Sequence, residues 1–103
     1  MLIQQGDVLV FVSSIPASAK VKKNHARGVV LAEGETTGHA HVITGVDDAI
    51  LFEDDGAMYL RVLKETVLTH EEHKPVTIPA GDYSVSIVKE YDHFAEEARN
   101  VQD

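Results

Sequence analysis

The sequence predicts an all-β fold: a small barrel, roll or sandwich of about six to eight short strands with a short C-terminal helix. Three observations predict it. The apolar residues fall in short runs instead of long helical stripes, and Gly, Pro and Asp turn signals bound those runs. Trp is absent and only 6% of residues are aromatic, so the core is built from Val, Ile and Leu, which suit pleated strands. The 103 residues fit a single domain spanning 1–103, with 44% hydrophobic content that argues against disorder.

Gly6-Asp7 reads as a turn before Val8-Leu9-Val10-Phe11-Val12, an apolar run expected to be a strand buried on both faces. Residues 16 to 27 form a polar loop whose Lys20, Lys22, Lys23 and Arg27 are expected to be solvated. Gly28 to Glu33 and His39 to Thr44 flank Gly34-Glu35-Thr36-Thr37-Gly38, so residues 28 to 44 form a hairpin. Ala49 to Phe52 and Met58 to Leu63 make a second hairpin, signalled by Asp55-Gly56. Val67 to Thr69 is a further strand. Pro75 to Pro79 is extended, and its prolines assign it to a sheet edge.

Tyr83, Val85 and Ile87 alternate with Ser84 and Ser86, a period-two strand whose Tyr83 enters the core with its hydroxyl at the rim. Asp92 is placed to cap the terminal helix, on which Phe94, Ala98 and Val101 form one apolar stripe.

Composition excludes several functions. The net charge of −8 repels nucleic-acid phosphates and anionic membranes, so neither is an expected partner. No cysteine is present, which removes disulfide scaffolds, zinc ribbons and thiol catalysis. The N-terminus lacks a basic segment followed by an apolar stretch, and no apolar run nears the roughly 20 residues of a membrane span. The expected location is the cytoplasm, of the host cell if the gene is a phage's, or the virion.

Chemistry is concentrated in two motifs, His39-Ala40-His41 and His70-Glu71-Glu72-His73. Residues i and i+2 of a strand share a face, so His39 and His41 form a half-site for Zn²⁺, Ni²⁺, Cu²⁺ or Fe²⁺. His70 and His73 share a face in a turn, though not in a flat strand. All four are candidate metal or ligand residues, with Glu33, Glu35, Glu71 and Glu72 as supporting carboxylates. A catalyst would use Glu71 or Glu72 as its base. Histidines among carboxylates also suggest a pH switch with raised pKa values. The alternative is that the histidines only pack or hydrogen-bond at hairpin ends, as in a phage or bacterial structural or assembly protein.

Three stretches resemble a family of small bacterial and phage proteins without an assigned activity: Gln4 to Leu9, Ala32 to His41 and Leu68 to Pro75. Gly34 with His39-Ala40-His41 is also similar to the first metal-binding motif of the cupins, and Pro79-Ala80-Gly81 to the turn of their second. That resemblance implies a β-barrel holding a metal through His39 and His41. The sequence departs from it at Gly45 and Val46, where the motif has Glu, and at Ser84, where it has His. A cupin-type enzyme would therefore need His70 or His73 as replacement ligands. Short sheets with open edges and an apolar terminal helix suggest a homo-oligomer.

Overall fold

A computed structural model describes residues 2–34 and 38–88; the expected C-terminal helix lies outside the described residues. Within them the chain is all-β, with ten strands in two antiparallel sheets. The strands are β1 (Leu2–Gln5), β2 (Val8–Val12), β3 (Lys20–Val21), β4 (Val29–Glu33) and β5 (Ala40–Ile43), then β6 (Ala49–Asp54), β7 (Ala57–Val62), β8 (Thr66–Thr69), β9 (Val76–Ile78) and β10 (Gly81–Ile87). One sheet has the order β1-β2-β10-β7-β6-β3 and the other β4-β5-β8-β9. No described helix is long and apolar enough to cross a membrane.

The two expected hairpins form where glycine permits them. Between β6 and β7, Asp55 and Gly56 have φ of 50° and 83°, the pair of positive angles that a type I′ turn demands. β4 and β5 pair around the Gly34–Gly38 connection, with a register shift between Val30 and Ala32. β9 lies at a sheet edge, as its flanking prolines require.

Two strands exceed the expected set, because their side chains do not alternate as apolar and polar. β1 carries Gln4 and Gln5, and β3 has two residues paired to Glu53 and Phe52. The basic loop is therefore partly a sheet edge, and Lys22 pairs with Glu53 at 3.6 Å. The expectation for β2 is also corrected. Val8 and Val10 are fully buried, but Phe11 turns to the outer face of the six-stranded sheet and is exposed, and Val12, on the inner face at the end of the strand, is exposed as well.

The core lies between the sheets. Val8, Val10, Leu51, Leu60, Val62, Tyr83 and Val85 of the larger sheet meet Val29, Leu31, Ile43, Leu68 and Ile78 of the smaller. Tyr83 is buried and its hydroxyl donates to the Pro79 carbonyl at 2.7 Å, the rim placement expected of it. On the outer face of the larger sheet, strand register aligns Leu2, Phe11, Ser84, Tyr59, Phe52 and Val21 in one row. The Arg61 guanidinium lies 5.6 Å from the Phe52 ring centre, held by Asp82 at 3.0 Å.

Burial separates these residues energetically. Leu60→Ala should cost about 2–5 kcal/mol, since transfer free energy and a residual cavity add. Val21→Ala, at an exposed edge, should stay within about 0.5 kcal/mol. Urea unfolding followed by circular dichroism measures both, and equal losses would contradict this assignment of the core.

Candidate functional site

Two strands leave the apolar interior at the same end and exchange aliphatic for imidazole side chains as they do. On β5 the core residue Ile43 is preceded two positions earlier by His41, and on β8 Leu68 is followed two positions later by His70. The two-residue period of extended chain keeps each imidazole on the side of its aliphatic neighbour. β5 and β8 pair with Ile43 opposite Leu68 and Val42 opposite Thr69.

Carried outward, that register sets His41 against His70, Ala40 against Glu71 and His39 against Glu72. Each pair is in contact. The His41 and His70 ring centres are 4.3 Å apart. The Ala40 amide donates to Glu71 Oε1 at 2.9 Å, and His39 Nδ1 lies 2.8 Å from Glu72 Oε1. The two histidine motifs are thus opposite sides of one ladder end.

The remaining ring closes the group. His73 lies 4.6 Å from His70 and stacks on His41 at 5.9 Å, while His39 meets His70 edge-on at 5.6 Å. His73 is seated on the β1–β2 turn. A Cβ on Gly6 would fall 2.6 Å from its Nε2 and displace the His73 ring, and Gly6 has φ of 57°, a conformation that favours glycine. All four histidines named from the sequence therefore meet. Glu71 and Glu72 adjoin them. Glu33 is exposed and lines a cleft of about 250 Å³ with His25, Arg27 and His39, and Glu35 lies outside the described residues.

Three further residues organise the cluster, and sequence reasoning missed their roles. Gln5 is buried, and its Nε2 donates to the carbonyls of Leu68 and Lys74, both at 2.9 Å. Its Oε1 is therefore the atom turned to His41 Nδ1 at 2.8 Å, so that nitrogen carries the proton. The lone pair of neutral His41 is left on Nε2, 3.3 Å from Asp7 Oδ1. Arg27 donates to Glu71 and, at 2.7 Å, to the Gly38 carbonyl, which ties the 70–73 turn to the β4–β5 connection. It is a structural clamp, where a solvated loop residue was expected.

Protonation states follow from these contacts. The Glu72 amide donates to His70 Nδ1 at 3.0 Å, which places the proton of neutral His70 on Nε2. His39 gives its Nδ1 proton to Glu72 and presents Nε2. The Ala40 amide and Arg27 hold the Glu71 carboxyl down to about 2, making it a weak base at neutral pH. His41 is lowered by burial and then by repulsion from His70, against an opposing pull from Asp7. His70 is lowered by burial and then by His73. The expected upward shift is corrected for these two rings: desolvation and neighbouring imidazoles outweigh the carboxylates.

A family model described as "Domain of unknown function (DUF8820)" matches residues 4–88. No curated protein and no solved structure matches the chain.

Two outcomes test the network. Gln5→Leu removes the partner of one buried carbonyl, one half-buried carbonyl and His41 Nδ1–H, and should cost about 1–3 kcal/mol in urea unfolding. A neutral result would mean the amide clamp is idle. Lowered pKa values in the folded chain also fix a sign. Unfolded histidine takes up its proton near pH 6.5, about where the folded rings still refuse it. Stability of the metal-free protein should be level above pH 7 and fall as pH drops from about 6.5 toward 5. A urea midpoint that rises on this acidification would refute the neutral-ring assignment.

Proposed function

The chain belongs to this family of unknown function, and we propose that its histidine cluster binds a divalent transition-metal ion, of the class Zn²⁺, Ni²⁺ or Fe²⁺. One observation carries the reading: the ligand atoms of His39, His70 and Glu71 lie within 4.8 Å of one another. A tetrahedral ion with bonds near 2.1 Å holds its ligand atoms about 3.4 Å apart, so a contraction of at most about 1.4 Å suffices. Imidazole nitrogen with carboxylate oxygen is a donor set these metals accept. Glu71 stays charged throughout the physiological range, and the hydrogen bond from His39 to Glu72 is the outer contact that orients ligating histidines.

One rearrangement is required. Coordination through His70 Nε2 moves the ring proton to Nδ1 and gives up the bond from the Glu72 amide. That cost is about 1–3 kcal/mol, against roughly 10–16 kcal/mol for a structural zinc at neutral pH. Binding is favoured over catalysis because Glu71, the carboxylate at the three-residue group, is a weak base.

The test is metal analysis and thermal melting of protein made without a histidine tag and stripped of metal. At a free Zn²⁺ concentration about 100 times the dissociation constant, linkage stabilises by about 2.7 kcal/mol, a rise on the order of 10 °C for a domain this small. His39→Ala should lose the part of the shift that this three-residue group contributes. No metal above trace, and no shift with Zn²⁺, Ni²⁺ or Fe²⁺, would refute the reading.

A further inference from the structure

We propose that the cluster contains a second cation position, between His41 Nε2 and the Asp7 carboxylate, distinct from the His39, His70 and Glu71 group. The proposal rests on the reading that the cluster takes up transition metals. It starts from an amide whose orientation is settled. Both Gln5 Nε2 hydrogens are taken by the Leu68 and Lys74 carbonyls, so Oε1 accepts from His41 Nδ1. His41 is only 2% exposed, and its other nitrogen is aimed at Asp7 Oδ1. In the neutral ring that nitrogen is a bare lone pair. The Asp7 side chain is 41% exposed, so the pair sits at the rim with only the ring buried, and two acceptors facing each other there repel unless a proton or a cation lies between them.

The separation is compatible with an ion. A charge-assisted N–H···O bond closes to about 2.7–2.9 Å. The same cluster supplies an example, His39 Nδ1 to Glu72 Oε1 at 2.8 Å. His41 Nε2 to Asp7 Oδ1 is 3.3 Å, long for a shared proton. It matches the separation of about 3.4 Å between neighbouring ligands of a tetrahedral ion with bonds near 2.1 Å.

The surroundings are built to the same end. Gln5 stands behind His41 as the outer acceptor that fixes a ligating ring. Asp7 follows Gly6, whose positive φ and close packing against His73 set the turn. His73 stacks on His41 and is seated on the same turn. Asp7 is thereby assigned a ligand's role beyond that of a turn former.

The experiment counts ions. Metal-stripped, untagged protein is titrated with Zn²⁺ against a chromophoric chelator, alongside Asp7→Asn, which keeps the size and turn preference of the residue, and His39→Ala. Circular dichroism of the metal-free variants confirms that they fold. The wild type is expected to bind two equivalents, and each variant one. If Asp7→Asn binds as many ions as the wild type, the second position is overturned while metal binding by the cluster stands. A wild type that binds only one equivalent, lost in both variants, also overturns it, by showing one shared ion. No binding by the wild type overturns this position and the cluster reading together.

Discussion

Ile43 faces Leu68 across β5 and β8, and the whole histidine cluster depends on that one pairing. The two side chains are fully buried, so the register is set by the hydrophobic core. A slip of one residue would turn the core-facing set of either strand outward, which the interior cannot accommodate. The Thr69 hydroxyl adds a bond to the Val42 carbonyl at 3.1 Å, holding the ladder at its last step. Beyond it the strands contribute imidazoles and carboxylates in matched order. The positions of polar groups at the rim are therefore inherited from aliphatic packing inside, and core stability is at the same time precision of the site.

The cluster concentrates four imidazoles in an acidic chain, and its electrostatics follow from who faces whom. Rings in mutual contact cannot all be charged, and burial of His41 adds to the same effect. Carboxylates are kept in separate offices. Glu71 is held by Arg27 and the Ala40 amide, Glu72 by His39, and Asp7 faces His41 without a donor between them. The 70–73 turn is thus fastened at Arg27 on one flank and at Gln5, through Leu68 and Lys74, on the other.

Much of this was legible in the sequence. The Asp55-Gly56 hairpin, the edge position of the Pro75–Pro79 piece and the alternation around Tyr83 all follow from local rules, and the structure agrees with each. The four histidines were visible as two motifs. Their meeting was not, because it depends on a pairing between strands about 25 residues apart, and no local rule fixes such a partner. Gln5 was invisible for a different reason: a glutamine in a polar N-terminal stretch carries no signal that its amide will be enclosed. Arg27 sits among lysines, and composition alone does not distinguish the one cation that has a carboxylate partner across the site. The sign of the imidazole shifts was misjudged because sequence shows neighbouring charges but not burial.

The two halves of the cluster differ in preparation. On the His41 side, the outer acceptor, the ring tautomer and the turn carrying Asp7 are already in the arrangement a ligand pair requires. On the His70 side, the ring proton lies on Nε2 and the Glu72 amide occupies Nδ1, so the turn has to yield before that nitrogen can donate. Preorganisation lowers the cost of binding, and rearrangement raises it. If both positions bind the same ion, the difference favours earlier filling at His41 and Asp7, although the three-residue group offers more ligands. Ligand count and readiness act in opposition here, and the rigid Gln5 amide is what tips readiness toward the buried ring.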